Sequence, residues 1–275
     1  MNSRRLSNEI TGVSMNNKKD DAVNSHIQMP KLLLKRFHNK SNHFYYYDVK
    51  KQFVGKNGTA QSINTELGYY SIEMEHYLRD EIETPFGEII SFLEKDSFKS
   101  ETLTIPSSFI PTIKNFLYAL IARGPKFEKQ MNEAECLLQF FTPQEQHDFI
   151  AFKGIDIAKK HNLLSDFITT FMINETDIPF VLSMDGLYGY TFNNHITINL
   201  PISPKVTISL IHKSYSNRIE RQNGEVSMFQ IHKPENIMLM NQCSFLSQIK
   251  RNWGYVICPE KDELQRLKGE YIQTL

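Results

Sequence analysis

Cysteine is scarce in this chain and poorly placed for cross-linking. The 275 residues hold 3 of them, Cys136, Cys243 and Cys258, at wide spacing and with no Cys-x-x-Cys pair. Neither a disulfide framework nor a zinc knuckle can be read from that arrangement. Long hydrophobic runs are missing too: nothing approaches the roughly 18 consecutive apolar residues of a transmembrane helix. Arg4 and Arg5 have no apolar stretch behind them, so the start of the chain does not read as a secretory signal. A reduced, cytoplasmic setting and no membrane partner are the expectations. Charge of a single sign is absent, with Lys+Arg 31 against Asp+Glu 31, which argues against a bulk polyanion binder that works by neutralising phosphates. The balance is an average, however, because basic residues gather from Lys31 to Lys40 and acidic ones from Glu73 to Glu94.

The familiar catalytic signatures are missing as well. There is no Gly-x-x-x-x-Gly-Lys loop, no Gly-x-Gly-x-x-Gly, no Gly-x-Ser-x-Gly elbow and no His-Glu-x-x-His helix. The 9 histidines are scattered without a pair at metal-binding helical spacing, so no metal site is expected, and the sequence leaves any cofactor unknown. No internal repeat points to a solenoid.

What is present describes an ordered globular protein. Hydrophobic residues make up 40% and aromatics 12%, with only 12 Gly and 11 Pro. Residues 1–24 alternate Ser, Asn, Lys and Asp with few apolar anchors and are expected to form a flexible tail. Residues 25–275 are expected to form a single, mainly helical domain. The aromatic run Phe44 to Val54, closing in Gly55-Lys56-Asn57-Gly58, predicts a strand or hairpin. Leu78, Ile82, Phe86, Ile89 and Leu93 recur every three or four residues and predict a helix. Pro85 within that stripe predicts a break, with Thr84 capping a second segment.

A further helix should hold Ile110, Ile113, Leu117, Leu120 and Ile121 inward and stop at Arg123-Gly124-Pro125. Two or three more should fill Phe127 to Met172. Short strands are predicted at 179–183, 195–200 and 205–210, then a long helix from Pro234 to about Asn252 and a short one from Asp262 to Gly269. The fold class expected is α+β, mainly α-helical: a helical bundle with a small antiparallel sheet.

Glu75 lies three positions before Leu78 and seven before Ile82, which puts it within the apolar stripe. A carboxylate there must be protonated, hydrogen-bonded or paired. An ion pair with Arg79, a frayed helix start, and a general acid or base are the alternatives. Glu83 flanks the same face. Arg123, in the last turn of its helix, either complements the helix dipole or holds a carboxylate or an anionic ligand. Asn241 sits between Ile237 and Phe245 on the inward side of the last long helix, where its amide needs partners. Lys31, Lys35, Arg36, His38 and Lys40, followed by Tyr45, Tyr46 and Tyr47, could track and stack a nucleic-acid strand. Simple in-and-out alternation on a half-buried strand accounts for the tyrosines equally directly and is the reading preferred.

His26-Ile27-Gln28-Met29-Pro30-Lys31-Leu32-Leu33-Leu34-Lys35-Arg36-Phe37 resembles the His-x-x-x-Pro-x-x-x-Leu-x-x-Phe opening of a large bacterial family classed as a domain of unknown function. Tyr69-Tyr70, Met74-Glu75 with Glu83, Arg123-Gly124-Pro125, Leu200-Pro201-Ile202-Ser203-Pro204 and Asn241 resemble later pieces of that family in the same order. Ser183-Met184-Asp185-Gly186 departs from the family's Ser-Asp-x-Pro, and Asp185 is therefore left out of the site. The resemblance implies a mixed, mainly helical fold and a site of His26, Glu75, Glu83, Arg123 and Asn241. It also implies an antiviral-defence or toxin-type effector.

Two functions follow as expectations. The first is a nuclease or nucleotide-acting hydrolase, with His26 and Glu75 as acid and base and Arg123 on phosphate. The second is a non-catalytic sensor or adaptor that binds a protein partner. A transcriptional regulator would need a basic recognition helix, and none is visible.

Overall fold

The computed structural model describes residues 24–96, 106, 108–134, 138, 140–192, 195–214 and 228–274. The expected tail of residues 1–24 lies outside these apart from Asn24, which opens a strand. In chain order the elements are β1 (Asn24–His26), α1 (Lys31–Arg36), β2 (Phe44–Asp48), β3 (Phe53–Gly58), β4 (Thr65–Leu67), α2 (Ile72–Tyr77), a π-helical turn (Leu78–Glu83), α3 (Thr84–Asp96), α4 (Phe109–Ala122), α5 (Pro125–Ala134), α6 (Pro143–Lys160), β5 (Phe167–Asn174), β6 (Leu182–Ser183), β7 (Tyr188–Phe192), β8 (His195–Pro201), β9 (Val206–His212), β10 (Met228–Ile231), α7 (Pro234–Arg251), β11 (Tyr255–Cys258) and α8 (Lys261–Thr274).

The strands overturn the expectation of a helical bundle with one small sheet. Of the described residues, 48% are helical and 24% lie in strands. The strands form three sheets, β1-β4, the five-stranded β10-β5-β9-β8-β7 and the four-stranded β3-β2-β11-β6. The fold is α+β. The largest error falls on Phe167–Asn174, expected within a helical stretch and found as β5, a central strand antiparallel to β9 and parallel to β10. Every residue of β5 after the first is buried. A strand covered on both faces loses the alternation that betrays strands, and a short apolar run then fits either element. Strands β1, β4, β7, β10 and β11 likewise lie outside the expected strands, and the last helix runs past Gly269.

The main core draws on both ends of the chain, from Met29 and Leu33 to Ile257. The predicted stripe of Leu78, Ile82, Phe86, Ile89 and Leu93 is buried in it. Pro85 does not break the helix. Thr84 keeps helical angles and its N–H reaches back five residues to the Arg79 carbonyl, so the turn widens just where the proline removes a donor and crowds the preceding carbonyls. The helix therefore runs on from Glu75 to Glu83 and beyond, carrying both acids on one continuous element.

Candidate functional site

Arg123 is the C-cap of α4, its N–H donating to the Ala119 carbonyl. Its guanidinium is 1% exposed and donates from Nη1 to Glu83 Oε1 at 3.3 Å. Nε and Nη2 are buried with no hydrogen-bond partner among the described residues. A buried cation with two idle donors is costly, since desolvation is only partly offset by its contacts. At the adjoining Gly124 a Cβ would stand 3.7 Å from Gln28 Nε2, so the chain leaving β1 lies against this turn.

That segment brings the remaining groups. Burial raises the half-buried Glu75 carboxyl above its ordinary pKa, while a hydrogen bond from Ser25 and the charge of Arg123 pull it back. Arg79 pairs with its neighbour Asp80 at the surface and not with Glu75. Glu83 is likewise raised by burial, against the pull of Arg123 and with the push of Glu75. His26 Nε2 lies 2.6 Å from the Ala60 carbonyl. A carbonyl only accepts, which assigns the proton to Nε2 and leaves the Nδ1 lone pair available. Burial holds this imidazole below its ordinary pKa; the Ala60 bond opposes the shift, and the charges of Lys31 and Arg123 add to it. The site thus combines a neutral base, two carboxyls biased toward the protonated form, and a cation with donors to spare.

Tyr70 fastens one wall: its hydroxyl donates to the Ile27 carbonyl at 3.2 Å and its N–H to Ser25 Oγ at 3.2 Å. Tyr69 stacks on His147 at 3.7 Å, and His147 Nε2 lies 3.6 Å from Glu128 Oε1. Between this wall and Arg123 is a cavity of about 10 Å³, room for one water. On the other side, His26, Glu75 and Glu83 are each partly exposed.

The structure therefore brings together four of the five expected residues, His26, Glu75, Glu83 and Arg123. Asn241 belongs to a separate knot. Its Oδ1 accepts from Val181 N at 3.0 Å, and its Nδ2 donates to the Pro179 carbonyl at 2.8 Å and to Glu263 Oε1 at 2.7 Å. Asp185, left out for its departure from the family pattern, is in turn connected to the cluster: it accepts from Gln28 Nε2 at 3.4 Å and pairs with Arg251 at 2.7 Å. Ser25, Gln28 and Tyr70 were not singled out as site residues; only Tyr70 had a sequence signal, the paired tyrosines.

Of the basic run, Arg36 pairs with Glu94, and His38 packs against Phe44 at 5.5 Å. Tyr47 is buried in a second apolar cluster. Among the described residues no group of three His, Cys, Asp or Glu side chains could hold a metal ion, and no helix is long and apolar enough to cross a membrane. Comparison with models of protein families, with curated proteins and with solved structures finds no match for this chain.

Proposed function

We propose that this protein cleaves a phosphoester bond in a nucleic acid or nucleotide, as a toxin- or defence-type effector. The observation that carries the reading is the idle Nε and Nη2 of buried Arg123. Two donors on one planar guanidinium suit two oxygens of one phosphoryl group. In the proposed step, His26 Nδ1 takes the proton of an attacking hydroxyl as its oxygen bonds to phosphorus. The phosphorus–oxygen bond to the leaving group breaks, and protonated Glu75 gives its proton to the departing oxygen. Arg123 bears the charge that builds on the non-bridging oxygens. Glu83 holds Arg123 in place. The raised Glu75 and lowered His26 fit these roles, since an acid must keep its proton and a base must lack one.

The test is release of product from labelled single-stranded RNA and from nucleoside triphosphates by the purified chain. His26→Ala is expected to lower the rate by about 100-fold or more, with a parallel loss of toxicity on expression. Full activity in His26→Ala would remove the reading.

A sensor or adaptor in which the same cluster fixes the fold is the second reading. It is favoured by the two bonds of Tyr70 to the β1 segment, and it predicts that His26→Ala lowers stability and leaves no chemistry to lose.

A further inference from the structure

A larger recess than the one at Arg123 lies elsewhere in the fold. An open groove of about 560 Å³ runs along the edge of the four-stranded sheet, lined by Tyr45, Tyr46, Phe53, Lys56 and Lys261 among others. Its aromatic wall is built into the hairpin. A Cβ at Gly55 would overlap the Tyr46 ring, so glycine lets that ring lie across β3. Phe53 and Tyr255 then meet the same ring edge-on at 5.9 and 5.6 Å. Phe53 remains 39% exposed, which leaves its ring open to a ligand. Lys56 and Lys261 are both exposed, and neither forms an ion pair with a described residue. Lys261 also opens α8, whose amino-terminal end adds positive potential. Glu260 and Asp262 flank it in sequence, but neither lines the groove.

We propose that this groove holds a single-stranded polynucleotide, with bases on the Phe53 and Tyr46 rings and phosphates on Lys56 and Lys261. Aromatic faces interleaved with unpaired cations are the chemistry that single strands require, and aromatic stacking tolerates any base. The chain itself connects groove and cluster: four residues after Lys56 comes Ala60, whose carbonyl holds His26. Four residues span at most about 13 Å, short enough for one strand to occupy both. The inference deepens the phosphoester reading by naming its substrate, and it rests on that reading for the cleavage step only.

The experiment measures anisotropy of a fluorescein-labelled oligouridylate of about 12 nucleotides, within the roughly 4–16-nucleotide site sizes of single-strand binders, with oligothymidylate as the DNA arm and UMP as competitor. The full chain is used throughout, so that Arg4, Arg5, Lys18 and Lys19 are constant. Lys56→Glu combined with Lys261→Glu is expected to raise Kd at least ten-fold. The slope of log affinity on log salt should become shallower by about 1.4, the share of two phosphates on a single strand. Phe53→Ala should raise Kd about five-fold or more with the slope unchanged.

Lys261→Glu adds an acid to the first turn of a helix and does not threaten the fold. Kd within two-fold of the parent in both variants, or competition by UMP as strong as by the oligomer, overturns the proposal. Oligouridylate bound but never cleaved removes the catalytic reading and leaves the groove. Nucleoside triphosphate hydrolysed without oligomer binding removes the groove and leaves the catalytic reading.

Discussion

The Asn241 amide and the Arg123 guanidinium are both buried in this protein, yet only one of them is spent. Asn241 uses its oxygen and both amide hydrogens on Val181, Pro179 and Glu263, and Glu263 is held in turn by Arg266. Arg123 makes one long bond to Glu83 and keeps two nitrogens bare among the described residues. The carboxyls beside Arg123 are pushed toward their neutral forms, whereas Glu263 sits between an amide donor and a guanidinium. A saturated knot ties α7 to α8 and to the segment before β6. An unsaturated one has interactions left over for something else, which is how a site differs from a brace.

The largest effect expected from this contrast is on stability at Asn241. Asn241→Leu leaves the Val181 N–H, the Pro179 carbonyl and the Glu263 carboxylate without their partner in a buried place. The loss should be about 3–5 kcal/mol, read as a lower midpoint in urea. The activity of the molecules that remain folded should not change. An Asn241→Leu protein as stable as the parent would mean that the knot is not a brace.

Arg123→Met is expected to behave in the opposite way. The parent guanidinium is desolvated with two donors idle, and the partly exposed Glu83 can take a proton when its cation is gone. The net loss of stability should stay under that of Asn241→Leu, because a protonated Glu83 is not left as an uncompensated buried charge. Phosphoester cleavage should fall by about 100-fold or more, the loss typical of a charge-stabilising group. A loss of stability as large as that at Asn241, with no loss of activity, would place both knots in the same class.

Much of the framework needed for this comparison was legible in the sequence. The stripe from Leu78 to Leu93, the hairpin from Phe44, β8, β9 and the long α7 follow from periodicity, turn residues and a proline at a helix start. β5 was not legible, because a strand buried on both faces carries no alternation. The wide turn before Pro85 was not legible either: the rule that proline breaks a helix omits the option of an i−5 bond. Among candidate residues, chemistry and helical phase picked out Glu75, Glu83 and Arg123, and the family resemblance added His26. Neither separated Arg123 from Asn241, since both read as polar groups on inward faces. Their difference lies in partners more than 20 residues away in sequence, Glu263 for Asn241 and Glu83 for Arg123. Asp185 was set aside on a sequence pattern and returned by one bond to Gln28.

The smallest expected effect, and the sharpest on the comparison, is the pH dependence at Glu75 and His26. Glu75 has a raised pKa in the folded chain, so between its ordinary value of 4.5 and that raised value the native state holds more protons than the unfolded state. Stability contributed by this group therefore falls as pH rises through the window, and above it the buried charge is a burden. Glu75→Gln removes the burden: it should melt higher than the parent near neutral pH and lose that advantage as pH falls toward 4.5. His26 carries the opposite sign. Its folded pKa is depressed below 6.5, the unfolded chain binds the extra proton, and its contribution is complete above 6.5 and lost as pH falls through the folded value. His26→Asn should thus flatten the acid side of the melting curve, while Glu75→Gln flattens the opposing trend. Melting temperatures of the parent and both variants across about pH 4 to 8 read the two signs directly. If Glu75→Gln melts lower than the parent near neutrality, Glu75 is a satisfied acceptor of the Asn241 kind, and the distinction between brace and site fails at the residue proposed to supply the proton.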